Sequence, residues 1–204
     1  MDFGSAESSL GRMAAIAAAA LALSGCLSGP SRPPVKAWTV EPATADSARA
    51  PVRLDELTPP PFKATRLGGV TVLPPYDTAP IHVKRADGTL AEDAYNVFAA
   101  APSQLLRRPV MGALAQEQRF GHILPSASSA SSEAVAEVLV SELALDCRDG
   151  RKAKVRLGLN IVKGREVVLA SEAEGSADAA SGDYTEAFSK AFNDAIREGL
   201  VNLK

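Results

Sequence analysis

The chain has 204 residues, 46% of them hydrophobic and 23% charged, with a formal net charge of -2. This composition supplies the core of one globular domain and excludes an intrinsically disordered chain. The 22 Lys and Arg are spread along the sequence, clustering only at Arg107-Arg108 and from Arg148 to Lys154, so a nucleic-acid-binding face has no electrostatic footprint.

Met13 to Leu23 is an apolar, Ala-rich run about half as long as a membrane-crossing helix, and it matches the h-region of a signal peptide. Arg12 precedes it and Leu23-Ser24-Gly25-Cys26 follows, small residues before a cysteine as in a lipobox. The expectation is a lipoprotein signal peptide over residues 1–25, cleavage before Cys26, and lipidation of Cys26 by a thioether-linked diacylglyceryl group and an amino-terminal palmitate-type chain. An ordinary signal peptide cut near Gly25 is the alternative. Asp2 and Glu7 against the single Arg12 make the n-region less basic than usual, which leaves the true start codon open. Burial at about 0.8 kcal/mol per methylene makes more than one chain a stable anchor. Leu27 stands where Asp would signal inner-membrane retention, so the expected location is the outer membrane, facing the periplasm. With Cys26 acylated, Cys147 has no disulfide partner; it follows the apolar stretch Ala136 to Leu145 and is expected to be buried and inert.

Leu27 to Ala37 is small, Pro-containing and charged only at Arg32 and Lys36, the composition of a tether. About 10 such residues in a coil reach roughly 17 Å, which holds the domain near its own leaflet. Lys36 to Val40, with the chain's one Trp, Trp38, reads as a first edge strand or a lone docking segment. Glu41 to Pro61 reads as loop and ends in Pro59-Pro60-Pro61. Residues 26–66 are thus lipid anchor, tether and Pro-rich segment, and residues 67–204 the folded domain.

Within that domain, Leu67 to Leu73 is a β-rich run with a Gly pair, stopped by Pro74-Pro75. Ile81 to Arg85 and Asp93 to Ala99 are two further strands around an Asp87-Gly88 turn. Leu106, Val110, Ala113, Leu114 and Glu117 predict an amphipathic helix over Ser103 to Phe120. Proline in a helix interior costs about 3 kcal/mol, so either this helix begins at Pro109 or the segment from Ser103 is a separate turn kinked onto it. Ser126 to Ser132 is a loop. Ala134 to Cys147 is a long apolar run that Val135, Val138, Leu139 and Val140 tilt towards strand, and Asp149-Gly150 turns the chain. Val155, Leu157, Leu159 and Ile161 alternate with Arg156, Gly158 and Asn160, a strand with one wet face; Lys163-Gly164 turns it into a partner over Glu166 to Glu174. Asp183 and Glu186 have capping-box spacing, and Phe188, Phe192, Ile196, Leu200 and Leu203 make the core-facing stripe of a closing helix. The order implies an α+β domain: a mainly antiparallel or mixed sheet with two amphipathic helices packed on one face.

No catalytic constellation emerges. His82 and His122, the two histidines, lack carboxylates at metal-ligand spacing and are expected at the surface or an edge. There is no nucleophile elbow, no phosphate loop and no dinucleotide fingerprint. Glu172, Glu174 and Asp178 read as solvated charges. A non-enzymatic chain without cofactor or metal is the expectation.

The order of features resembles the auxiliary lipoprotein component of ABC-type transport systems, the group that includes PqiC-like outer-membrane lipoproteins. The residues that carry it are the lipobox, the strand Trp38-Thr39-Val40, and Val70-Thr71-Val72-Leu73-Pro74-Pro75-Tyr76 followed by the basic strand Ile81 to Arg85. Phe98 and Pro102 then open a helix with Leu105, Leu106 and Leu114, and Phe120 precedes the loop. The Pro-rich stretch Thr44 to Phe62, Phe98 where Trp is common, and Pro109 depart from the pattern. The resemblance implies a non-catalytic subunit working with an inner-membrane ABC permease and ATPase and an MCE-domain protein, moving lipids or hydrophobic compounds between membranes. A periplasmic lipid- or small-molecule-binding lipoprotein and a structural envelope-assembly lipoprotein are the alternatives. Oligomeric state stays open.

Overall fold

The alternation of Val155, Leu157, Leu159 and Ile161 has the period of a strand buried on one face, and it lies at the heart of the sheet in the computed structural model, which describes residues 33–43 and 62–204. Cys26, the signal peptide and most of the Pro-rich segment lie outside the described residues. Among the described residues, eight strands form one mixed sheet: β1 (Lys36–Trp38), β2 (Ala64–Val72), β3 (Pro80–Lys84), β4 (Leu90–Phe98), β5 (His122–Leu124), β6 (Ala134–Asp146), β7 (Lys152–Lys163) and β8 (Glu166–Asp178). The helices are α1 (Pro102–Leu105), α2 (Arg107–Ala115) and α3 (Tyr184–Asn202), with a 3-10 turn at Gln118–Phe120. The unit they build runs from Val35 to Lys204.

Strand β6 is shared by two unlike halves. On one side β7 and then β8 follow it as an antiparallel meander. On the other side the sheet forks. β2 runs parallel to the first half of β6, from Thr65 opposite Ala134 to Val72 opposite Val140, while β3 runs parallel to its end, with His82 opposite Ala144. β5 extends the first branch; β4 and then β1 extend the second.

Bulges set the phase of the two long partners. In β6 the core positions are Ala136, Val138 and Val140, then Leu143 and Leu145, with the register shift between Val140 and Glu142. One extra residue, Ser141, moves the buried set from even to odd numbers. In β2 the core positions are Leu67, then Val70 and Val72, with the shift between Leu67 and Gly69. A Cβ on Gly68 would lie 2.6 Å from Val135 Cγ1, so a side chain there would have to displace Val135.

Of the two readings of Ser103 to Phe120, the structure has the separate turn kinked onto a helix, which begins at Arg107 and is followed by a 3-10 turn. Leu106 separates turn from helix, donating its N–H to Pro102 O at 2.9 Å and accepting from Val110 N at 3.0 Å. Pro109 therefore falls in the first turn of α2, where an N–H needs no intrahelical partner and the ring is tolerated. Helix α3 begins as its sequence dictates: the Asp183 carboxylate accepts from Glu186 N at 3.0 Å.

Both α2 and α3 lie on one face of the sheet, α3 along β7 and β8 and α2 beside it. Val110 and Leu114 of α2 and Phe188, Phe192, Ile196 and Leu200 of α3 join Val138, Val140, Leu157 and Leu159 in one core. Each such fully buried side chain contributes about 1.5–3 kcal/mol. Strand and helix touch at backbone level at Gly175, where a Cβ would come within 1.9 Å of Ala191 O. Phe98 at the end of β4 meets Phe188 edge-on at 5.2 Å and ties the forked half to the helix.

Candidate functional site

The first structural feature of functional interest is the seat of the tether. Trp38 in β1 donates its indole N–H to Asn96 Oδ1 at 3.0 Å and packs on Tyr184 with ring centroids 5.2 Å apart. Of the two readings of Lys36 to Val40, the structure has the edge strand: β1 pairs parallel with β4. The chain then crosses α3 on a polar ladder. Thr39 N donates to Thr185 Oγ1 at 3.3 Å, Glu41 N to Ser189 Oγ at 2.8 Å, and Asn193 Nδ2 to Glu41 O at 3.0 Å. Residues 185, 189 and 193 share one helix face because side chains four apart stack along it. The sequence carried that signal as polar residues at a spacing of four, which the apolar stripe hides. A hollow of about 540 Å³ lies between this segment and the polar side of α3.

The second feature is the sheet face opposite the helices. At one end it bears a ladder of ion pairs. Lys84 Nζ lies 2.6 Å from Glu142 Oε1; Asp146 takes Arg148 at 2.6 Å and Lys154 at 3.4 Å; Glu174 takes Arg156 at 2.7 Å and Lys154 at 3.7 Å. Hydrogen bonds from the Arg148 guanidinium hold the Asp146 carboxyl well below the usual carboxylate range. Those from Arg156 lower Glu174 in the same way. Carboxylates held ionised like this are poor general acids, since that role needs a raised pKa. Towards the other end the face turns smaller around Gly68, Gly69, Thr71, Leu139 and Asn160, which with Glu137 line an open hollow of about 410 Å³. Among the described residues no group of His, Cys, Asp or Glu is arranged to hold a metal ion.

The third feature is the edge of β8, which among the described residues pairs with no strand but β7. Ala170 exchanges two backbone hydrogen bonds with Lys204, at 3.1 and 3.5 Å. Beyond it Glu172, Glu174, Ser176 and Asp178 are exposed. The strand is longer than the expected Glu166 to Glu174, and these acids lie along it rather than at a hairpin end.

Two residues sit differently from their sequence reading. His82 is 4% exposed, because β3 is flanked by both β4 and β6 and the Tyr76 ring stands edge-on to its imidazole at 5.5 Å. Its Nε2 is 3.8 Å from Glu92 Oε1. Cys147 is half-buried rather than buried, since β6 has ended and the chain is turning outward. His122 is exposed on β5, a strand of three residues whose extension comes from pairing with β2 rather than from any local pattern. Cys26, the lipidation residue, lies outside the described residues.

No family model matches the sequence, and no curated protein matches it. Solved structures do. Protein XCC0632 from Xanthomonas campestris, of family DUF330, superposes with a TM-score of 0.58 at 16% sequence identity, over 82% of this chain and 92% of that one. A second, described as an uncharacterized protein, gives a TM-score of 0.54 at 13% identity, over 70% of this chain and 91% of its own. At such identities the likeness is one of fold.

Proposed function

We propose that the chain is an outer-membrane-anchored periplasmic lipoprotein that serves as the non-catalytic auxiliary subunit of an ABC/MCE-type transport system for lipids or other hydrophobic compounds. The observation that carries this reading is the sequence order of lipobox, short tether and α+β domain, the order of the PqiC-like family. The likeness in fold to a DUF330 protein is compatible with it. Acyl chains on Cys26 would hold the protein to the membrane.

The geometry adds a mechanical argument. Residues 27–35 alone separate Cys26 from β1, and nine residues span at most about 30 Å when fully extended. The domain stays within that distance of the leaflet, and β1 and the Thr185, Ser189 and Asn193 ladder fix the point at which the tether enters. A bridging MCE-domain protein would then dock on a body kept near its own leaflet. The sheet face opposite the helices and the β8 edge are the surfaces offered for that contact, whereas the hollows are open, which fits docking better than enclosure of a lipid.

The test is affinity capture of the tagged lipoprotein from detergent-solubilised envelopes, with Cys26→Ala as control, followed by mass spectrometry. Recovery of an MCE-domain protein with its permease and ATPase is expected. Recovery of the lipoprotein alone would overturn the reading and favour the assembly alternative, while a stoichiometric bound lipid without those partners would favour the ligand-binding one.

A further inference from the structure

We propose that the edge of β8 from Glu172 to Asp178 is a strand-addition site for an extended, basic segment of a partner protein. This deepens the docking reading by naming the edge and the chemistry of what it takes.

The reciprocal bonds between Ala170 and Lys204 fix the orientation of the edge, because both main-chain groups of Ala170 are thereby shown to point away from β7. From that position the register with β7 is unbroken: Ala170 faces Asn160, Glu172 faces Gly158, Glu174 faces Arg156, Ser176 faces Lys154 and Asp178 faces Lys152. In an antiparallel pair the direction of the main-chain groups alternates along the strand. Glu172, Glu174 and Ser176 therefore also direct N–H and C=O outward, and among the described residues no other strand pairs with β8. Lys204 shows that the edge accepts a backbone partner, since the chain already bonds to it at one residue.

Side chains on the same residues set the specificity. Core-side positions of β8 are covered by α3, so an incoming strand is read from the uncovered face, where Glu172, Glu174, Ser176 and Asp178 stand. Glu174 is committed to Arg156. Glu172 faces a glycine across the strand pair and has no base directly opposite it. A strand added outside β8 with Lys or Arg at alternate positions would place one beside Glu172. A second copy of this chain fits badly, because symmetric antiparallel β8 pairing centred anywhere from Glu172 to Ser176 sets an acid of one copy directly against an acid of the other, as Glu172 against Glu174 when centred on Ala173, and like charges directly opposite destabilise a sheet. The acidic row thus disfavours self-pairing and selects a basic strand.

The experiment uses the Cys26→Ala protein and an octapeptide of alternating Lys and Val, with an alternating Glu and Val octapeptide as control. Amide hydrogen exchange at residues 172, 174 and 176 is followed by NMR. At least tenfold slowing by the Lys peptide, and none by the Glu peptide, is expected. Glu172→Pro removes an outward N–H without touching the β7 ladder and should abolish the slowing, with Ser176→Pro as the second edge-blocking variant should the first not fold. Glu172→Gln keeps the backbone and should weaken binding several-fold. Equal protection by both peptides, protection that persists in Glu172→Pro and Ser176→Pro, or no protection at millimolar peptide would overturn the proposal. So would edge protection in the absence of peptide with a dimer in sedimentation, which would assign the edge to a second copy. Capture of MCE partners by Glu172→Pro alongside a failed peptide experiment would remove the edge and leave the transport reading standing.

Discussion

The two halves of the sheet on either side of β6 are built by different means. In the β7–β8 half, strands of 12 and 13 residues follow β6 through tight turns, and α3 covers one face along their length. Most contacts there are made between neighbours in sequence order. In the forked half, β2, β3 and β1 are 9, 5 and 3 residues long, and all three find parallel partners far away in the chain. Parallel pairing needs a crossover and closes a long loop, so it is held by what it packs against more than by local propensity. Regular structure is thus largely self-specified in one half, whereas in the other, apart from the β3–β4 pair, it depends on partners distant in the chain.

The largest effect that would break this contrast falls on the joint between the halves. Phe188 is fully buried on α3 and meets Phe98 of β4, so Phe188→Ala should cost about 4 kcal/mol in urea unfolding. If the halves depend on one another as described, unfolding stays a single transition. Separation into two transitions would show the β7–β8 half to be stable without the fork.

A smaller effect sharpens the contrast inside the regular half. Gly175→Ala drives a Cβ into the Ala191 carbonyl and should cost about 1–3 kcal/mol by overpacking. Gly158→Ala, whose nearest neighbour would be Ser171 O at 3.7 Å, should change stability by no more than about 0.5 kcal/mol. Equal losses at the two sites would mean that strand propensity, not helix approach, sets the requirement for glycine.

The smallest effect is in pH. Asp146 and Glu174 have lowered carboxyl pKa values, so their stabilising contribution is fully present above the unfolded carboxylate range near pH ~4 and is lost as pH falls through the folded values. Stability measured by urea midpoint should fall between pH 5 and pH 2 by linkage at these groups, and Asp146→Asn should lower the neutral-pH midpoint while flattening that fall. Since Asp146 of β6 and Glu174 of β8 both pair with Lys154 of β7, the acid transition reads the ladder across the β6–β8 half.

Alternation alone marked β7, and the Val-rich run of Ala134 to Cys147 marked β6, because a strand buried on one face obeys a period of two and a long apolar stretch has to be buried. The Asp183 cap and the phenylalanine stripe marked α3 for the same kind of reason: capping and amphipathicity are local. The lipobox, too, is a local signal, and the expectation at Cys26 rests on sequence alone. What the sequence left unresolved was the break at Leu106, the burial of His82, the existence of β5 and the polar ladder on α3. The break is local, Pro109 being accommodated by a second helix start, but the others depend on a neighbour distant in the chain: His82 is covered by two strands and a tyrosine, β5 exists because β2 lies beside it, and Thr185, Ser189 and Asn193 acquire a role only once the tether crosses them. Local pattern decided which segments are strands and helices; only tertiary pairing decided which edge and which face of the sheet remain open.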